Sequence, residues 1–101
     1  MLNQPKWTSL LGLANRARKV ISGEELVVKE IRGGKAKLVI LSSDASPNTE
    51  KKIVDKCRYY NVPLYRAESR EQLGHAIGKE HRVVVAVLDD GFSKKLQTLL
   101  H

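Results

Sequence analysis

Three charged residues at helical spacing form a candidate binding site in this sequence. Glu25, Lys29 and Arg32 are four and three positions apart, so a helix would align their side chains along one side. Ammonium and guanidinium groups bind phosphates, and a carboxylate accepts protons from the edge of a base. The backbone N–H groups at the N-terminus of such a helix also attract an acceptor-rich ligand. The stripe therefore indicates a recognition edge for a polyanion.

Residue patterns for catalysis or metal binding do not assemble elsewhere in the sequence. The histidines lack metal-ligand spacing and a partner cysteine; they are His75, His81 and His101. No serine lies in a nucleophile-elbow pattern. We therefore expect a protein that is not an enzyme, with no metal, no cofactor and no small-molecule substrate.

Two short motifs resemble ligand sites but have simpler explanations. Gly33-Gly34-Lys35 resembles a phosphate-binding loop, yet Ala36 follows where Ser or Thr is required. The motif also lies between a predicted helix and a strand, the reverse of the required order, so a helix end explains it better. Asp89-Asp90-Gly91 could suggest a metal, but a turn and the N-cap of the last helix account for it.

The excess of positive charge narrows the class of partner. The 101 residues include 18 Lys and Arg against 11 Asp and Glu, which gives a net charge of +7 and a pI near 9.8. In so small a domain this favours RNA or DNA ahead of an anionic membrane, and a solvated basic surface is the alternative. Aromatic residues are only 5% of the chain, which argues against a sheet that stacks bases on exposed rings.

Cysteine usage and hydropathy bear on the compartment. Cys57 is the only cysteine, which argues against a disulfide framework and a cysteine-based metal site. No apolar run approaches the length of a membrane span, and the first residues lack the pattern of a secretion signal. We expect a cytoplasmic protein without membrane contact, and we expect it to be a monomer.

A helix followed by a buried strand must position the charged stripe. Ser22 is a predicted N-cap, and Glu25 three residues later completes a capping box. Gly33-Gly34 should end the helix, because glycine reaches the left-handed conformation that a C-cap needs. The apolar, partly β-branched segment from Lys37 to Leu41 suits a central strand.

Helices and strands alternate along the rest of the chain. Trp7 and Cys57 lie on apolar stripes of predicted helices, so we place both in the core. Alternating elements imply a layered α/β domain with helices on both faces of the sheet. The other predicted helices cover about 5–17, begin at Ser46-Pro47 and at Ser69, and run from Phe92 to Leu100; the other predicted strands are Val20-Ile21, Pro63 to Ala67 and Val83 to Leu88.

A run of glycine, basic and apolar residues carries a family resemblance. Its residues are Gly23, Lys29, Ile31, Gly34, Ala36, Lys37, Leu38, Val39 and Ile40, followed by Asp44-Ala45-Ser46-Pro47, Val62-Pro63 and Leu73-Gly74-x-Ala76-x-Gly78. Together they cover nearly the whole chain and resemble the kink-turn RNA-binding ribosomal protein family (the L-seven-Ae and L-thirty-e superfamily), its bacterial YlxQ-type members most of all. The resemblance implies a three-layer α/β/α sandwich with a four-stranded mixed sheet, and a single RNA-binding domain over residues 1–101.

The resemblance also implies how RNA is held. In the family, the N-terminus of the helix after the glycine reads tandem sheared G·A pairs of a sharply bent RNA. By position, this feature corresponds to Gly23, Glu24, Glu25, Lys29 and Arg32. The loop after the third strand packs under a flipped-out base, and it corresponds to Ala67, Glu68, Ser69 and Arg70, with Ser46 near the base.

The match departs from the family at two adjacent positions. Family members commonly carry Asn or Lys and then Glu or Gln where this chain has Glu25 and Leu26. Leu26 cannot accept a guanine proton, so that contact must be lost or shifted. Glu25 has two interpretations, an RNA contact or an arm of the capping box that also pairs with Lys29. The leading hypothesis is a ribosome-associated protein that recognises kink-turn-like RNA, and the alternative is a protein-interaction scaffold that has lost selective RNA binding.

Overall fold

Helices and strands alternate throughout residues 4–100, the part of the chain that the computed structural model describes. The alternation predicted from the sequence is confirmed. His101, one of the three histidines whose spacing argues against a metal site, lies outside the described residues. The elements are α1 (Lys6–Arg16), β1 (Val20–Ser22), α2 (Glu24–Arg32), β2 (Leu38–Ser42), α3 (Pro47–Tyr59), β3 (Leu64–Ala67), α4 (Arg70–Ala76), β4 (Val84–Val87) and α5 (Asp90–Leu99).

The four strands form one mixed sheet in the order β1-β4-β2-β3. β2 pairs with β3 in parallel, with Ile40 opposite Tyr65. β4 lies between β1 and β2 and is antiparallel to both. The strands β1, β2 and β3 therefore share one direction, and β4 alone runs against them.

Two apolar clusters place helices on both faces of the sheet. The first packs α1, α4 and α5 against one face and includes Trp7 and Leu96. The second packs α2 and α3 against the other face and includes Ile31 and Cys57. Because β2 and β4 are buried along their whole length, both faces of the sheet are covered. The predicted three-layer α/β/α sandwich and the predicted core positions of Trp7 and Cys57 are confirmed.

The start of α2 differs from the prediction. Ser22 is the last residue of β1, opposite Val85, and Gly23 is the N-cap with φ of 102°. No side chain caps α2, so the predicted N-cap role of Ser22 and its capping box with Glu25 are wrong. Pairing with β4 holds Ser22 in the strand. Gly23 therefore forms the turn into the helix, because glycine adopts positive φ without steric cost.

The other predicted caps agree with the structure. Ser46 Oγ accepts a hydrogen bond from Thr49 N–H at 3.3 Å, and Ser69 Oγ accepts one from Gln72 N–H at 3.1 Å. The spacing of Ser69 and Gln72 also predicts a capping box, but Gln72 Oε1 accepts from the N–H of Glu68, one residue before the N-cap, rather than from that of Ser69. Asp89 Oδ2 caps α5 through Phe92 N–H at 2.9 Å, as the turn interpretation required.

Candidate nucleic-acid interface

One edge of the sheet brings together the carboxyl ends of three strands and the N-termini of three helices. β1, β2 and β3 end at this edge, and α2, α3 and α4 begin two to five residues later. β4 runs the other way, so its first residue, Val84, lies at the same edge. Free N–H groups at a helix N-terminus carry partial positive charge and attract anions. The fold therefore directs three helix N-termini toward one place on the surface. α2 has no side-chain cap, whereas N–H groups at the starts of α3 and α4 already donate to Ser46, Ser69 and Asp44.

A cavity of about 360 Å³ opens at this edge. Four predicted site residues line it, namely Gly23, Glu24, Ser46 and Arg70. The same cavity is lined by residues that the sequence did not indicate, and these are Thr49, His81, Arg82, Val83 and Val84. The tertiary structure thus places the two features that the resemblance implies, the start of α2 and the loop before α4, around one cavity.

Glu24 ties the first turn of α2 to α3. Its Oε1 accepts a hydrogen bond from Thr49 Oγ1 at 2.7 Å, and its Oε2 accepts one from Lys52 Nζ at 2.6 Å. These bonds, first from Lys52 and then from Thr49, hold the pKa of Glu24 below its usual range. The carboxylate is therefore ionised at neutral pH and already engaged, so its main role in this structure is to fix the edge of the cavity.

Arg70 is held across the cavity mouth by the loop after β2. Its Nη2 donates to the backbone carbonyl of Asp44 at 2.8 Å, and its Nε lies 3.5 Å from Asp44 Oδ2. The Arg70 backbone N–H also donates to Asp44 Oδ2 at 3.3 Å. Because Arg70 is only part-buried, the guanidinium keeps donors available for a phosphate oxygen.

Arg82 is a cationic residue of the cavity that no sequence pattern indicated. Its Nε donates to Ser22 Oγ at 3.2 Å, and its Nη1 donates to the carbonyl of His81 at 2.7 Å. The segment that carries it packs on α4, where a Cβ at Gly74 would lie 2.4 Å from His81 Cα. Arg82 immediately precedes a predicted strand, but only the antiparallel insertion of β4 brings that strand's start to this edge.

The remaining predicted site residues lie at different distances from the cavity. Glu25 is exposed in the first turn of α2, and Lys29 is exposed one turn further along. Arg32 ends the helix, about 12 Å from Glu24 at 1.5 Å per residue. Within residues 4–100 no ion pair joins Glu25 to Lys29, so the predicted helical pair is not formed.

The residues predicted at the loop after β3 differ in their exposure. Ala67 is the last residue of β3, is 1% exposed and belongs to the core. Glu68 is exposed, and Ser69 is part-buried as the N-cap of α4. Arg70 is the residue of this predicted group that reaches the cavity.

Cations at this edge are largely matched by carboxylates. Arg66 makes a bidentate pair with Glu50, in which Nη1 lies 2.6 Å from Oε1. This pair lowers the pKa of Glu50 through the donated hydrogen bonds. Lys52 pairs with Glu24, and Arg70 pairs with Asp44. The positive excess of the whole chain is therefore not located at the cavity, and attraction of anions there rests on helix termini and a few placed side chains.

Neither a metal-binding cluster nor a membrane-spanning helix is found within residues 4–100. In residues 4–100 no group of three or more His, Cys, Asp or Glu side chains is arranged to hold a metal ion. None of the helices in that range has the length and apolar character needed to cross a bilayer.

Comparison with known proteins places the chain among relatives. Residues 5–97 match the model of the ribosomal protein L7Ae/L30e/S12e/Gadd45 family. The chain is 65% identical to the RNA-binding protein YlxQ of Bacillus subtilis (strain 168), over 94% of this chain and 95% of that protein. It is 46% identical to the RNA-binding protein YlxQ of Enterococcus faecium, over 97% of this chain and 94% of that protein.

A solved structure agrees with these sequence relatives. A protein of unknown function from Bacillus halodurans C superimposes with a TM-score of 0.92 and 54% identity, over 95% of this chain and 97% of that one. The relatives are named as RNA-binding and ribosomal proteins rather than enzymes, in agreement with the predicted absence of enzymatic activity. With nearly its whole length matched, the chain belongs to the ribosomal protein L7Ae/L30e/S12e/Gadd45 family.

Proposed function

We propose that the chain binds structured RNA of the kink-turn type at the cavity edge. The observation that carries the proposal is the convergence of three helix N-termini around a cavity that holds Arg70 and Arg82. Helix N-termini supply backbone donors to phosphate oxygens, and the two guanidinium groups supply bidentate donors. The relatives named as RNA-binding proteins support the same partner.

Gly23 lets RNA approach the backbone closely. A Cβ built at Gly23 meets no atom within 4 Å, so the surface above it is open. Its φ of 102° strains any residue with a side chain. A groove edge of the RNA can therefore contact the α2 N-terminus at Gly23, with Glu25 beside it as an acceptor for guanine N–H groups.

Leu26 changes what this surface offers. Its side chain is 52% exposed next to Glu25 and supplies apolar contact where an acceptor would otherwise stand. The guanine contact implied by the resemblance therefore shifts to Glu25 or to backbone carbonyls. Selectivity for the bent RNA then rests on shape and on the placement of Arg70 and Arg82.

A protein-interaction scaffold is the second candidate, and the exposed Leu26 and the charge balance at the edge favour it. An apolar side chain on a nearly neutral surface suits a protein partner better than a phosphate backbone. Under the leading proposal the protein works in the cytoplasm as a monomer in contact with ribosomal or other structured RNA. The two candidates differ in whether binding depends on RNA shape.

A pair of matched RNAs tests the proposal. One is a kink-turn duplex, and the other has its G·A pairs replaced by Watson–Crick pairs. We expect tighter binding to the kinked RNA at physiological salt, and a loss of that preference with Arg82→Ala, monitored together with the melting temperature. Equal affinity for both RNAs would reduce the protein to a general polyanion binder, and no measurable affinity for either would favour the scaffold.

A further inference from the structure

Unpaired cations collect at the edge of the sheet opposite the cavity. α2 and α3 pack side by side and follow parallel strands, so both helices end at that opposite edge. Five cations lie in or just after their last turns, and these are Lys29, Arg32, Lys35, Lys56 and Arg58. Within residues 4–100 none of the five forms an ion pair. The neighbouring acid Asp55 is paired with Lys51 at 3.1 Å, which leaves Glu30 as the local counter-charge on α2.

Two tyrosines, Tyr59 and Tyr60, follow Arg58 at the end of α3. Tyr59 is 78% exposed, and its ring contacts that of Tyr60 edge to face, with 4.9 Å between the ring centroids. α3 has 13 residues, so Tyr59 lies about 20 Å along the helix from the cavity. A tyrosine left this far in solvent contributes little to the core, and its aromatic face is free for contact.

The turn that follows the tyrosines is rigidly built. Val62 N–H donates to the carbonyl of Cys57 at 2.8 Å, and Asn61 takes the left-handed conformation with φ of 58°. This bond closes the helix end in the arrangement usual for a left-handed cap. α2 ends in the same way, with Gly34 at φ of 75° and Lys35 N–H bonded to the carbonyl of Glu30 at 3.0 Å. The rings and cations are therefore presented on ordered backbone.

Helix electrostatics explain part of this surface but not all of it. Cations in the last turn of a helix are favoured by the macrodipole, which accounts for Arg32, Lys56 and Arg58. Lys35 lies beyond the end of α2, and the exposure of Tyr59 has no electrostatic cause. A basic surface that carries an exposed aromatic ring fits single-stranded nucleic acid, since cations contact the phosphates and bases stack on the ring.

From this placement we infer a second RNA contact at the ends of α2 and α3, where an unpaired single-stranded segment stacks a base on Tyr59 while Arg32, Lys35 and Arg58 contact its phosphates. The contact goes beyond the kinked-RNA function proposed above and does not depend on it. Its position on the opposite edge lets one protein hold a folded RNA element and a flanking single strand at the same time.

Binding of an oligouridylate of about ten nucleotides, a length within the range that single-strand binders cover, tests the inference by fluorescence anisotropy. We expect Tyr59→Ala to weaken binding about fivefold or more, the lower end of the effect of one stacked base, while Tyr59→Phe retains it. Arg58→Gln should make the dependence of log affinity on log salt shallower by about 0.7. Lys6→Ala, an exposed cation in the first turn of α1 on the other face of the sheet, is the matched control and should leave the affinity unchanged.

Each result decides the inference. The exposure of Tyr59 means that its variants should melt as the unsubstituted protein does, and kink-turn affinity should stay unchanged in Tyr59→Ala. Absence of oligouridylate binding by the unsubstituted protein would overturn the inference. An unchanged affinity in Tyr59→Ala, or an equal loss in Tyr59→Phe, would overturn the stacking contact. An equal loss in Lys6→Ala would show general attraction to polyanions instead of a site.

Discussion

The packing of Gly74 against the segment before β4 predicts a coupled loss of stability and RNA binding. A Cβ added at Gly74 would lie 2.4 Å from His81 Cα and 2.6 Å from His81 N and C. Carbon atoms in contact are normally about 3.5–4.0 Å apart, so in Gly74→Ala the backbone of the segment must move by about 1 Å or more. The atoms in the way are backbone atoms, which cannot rotate aside as the end of a side chain can.

The size of the effect follows from this clash. Overpacking of a well-packed site costs about 1–3 kcal/mol, and for a domain of this size each 1 kcal/mol lowers the melting temperature by roughly 4–8 °C. We expect the melting temperature of Gly74→Ala to fall by about 4–24 °C, since several overlaps occur together. The displaced segment carries Arg82, so affinity for the kink-turn RNA should fall at a temperature where the variant remains folded.

Gly33→Ala is the matched control for this experiment. Gly33 has φ of −80°, and a Cβ there would meet only the Lys29 carbonyl oxygen, at 3.3 Å. Alanine should be accepted at this position, with melting temperature and RNA affinity close to those of the unsubstituted protein. A Gly74→Ala variant that melts and binds like Gly33→Ala would refute the reasoning, because the segment before β4 would then be free to move without cost.

Four further predictions use single substitutions. Glu25→Ala should leave the free energy of unfolding, measured by urea titration, nearly unchanged, because Glu25 forms no capping box. A loss of kink-turn affinity in this variant would identify Glu25 as an acceptor for base protons, whereas tighter binding would exclude that role. If Lys29 contacts one phosphate, Lys29→Ala should make the slope of log RNA affinity against log salt shallower by about 0.9. An unchanged slope would mean that Lys29 contributes only to the helix and makes no RNA contact. Glu24→Gln should lower the free energy of unfolding at neutral pH and make the loss of stability in acid less steep. The pKa of Glu24 is lowered in the folded state, so its carboxylate stabilises the fold above the ordinary pKa of 4.5, and this stabilisation is lost as the pH falls through the folded-state pKa. Parallel urea titrations at neutral and acidic pH measure both effects, and identical pH profiles for the two proteins would contradict the prediction. Arg18→Gly should raise the free energy of unfolding by about 1 kcal/mol. Arg18 has φ of 62°, and glycine removes the steric cost of this left-handed conformation. A lower urea midpoint in the variant would mean that the Arg18 side chain stabilises the fold.

Local sequence signals determined the elements of this protein. Ser46-Pro47, Ser69 and Asp89 place polar side chains where helix N-termini need acceptors, and each cap forms as predicted. Such signals act over three or four residues, so these three caps form without help from distant parts of the chain. The apolar stripes likewise predicted the core, since helix and strand periodicity decides which side chains can be buried together.

The tertiary structure decided the composition of the candidate site. Ser22 has the chemistry of an N-cap, but pairing with Val85 keeps it in β1, and its hydroxyl binds Arg82 instead. Arg82 reaches the cavity because β4 inserts antiparallel between β1 and β2, a pairing across 60 residues that no local pattern encodes.

The distribution of charge was decided in the same way. The net charge of +7 is a property of the sequence, and it predicted a polyanionic partner. Which cations remain unpaired depends on contacts between elements, such as those of Glu24 with Lys52 and of Glu50 with Arg66. These contacts join residues 16 or more positions apart, so folding pairs three cations at the cavity edge with carboxylates, while within residues 4–100 Arg32, Lys35 and Arg58 form no ion pair. The sequence therefore determined the elements and indicated the class of partner, whereas long-range strand pairing and side-chain contacts determined which residues make up the proposed sites.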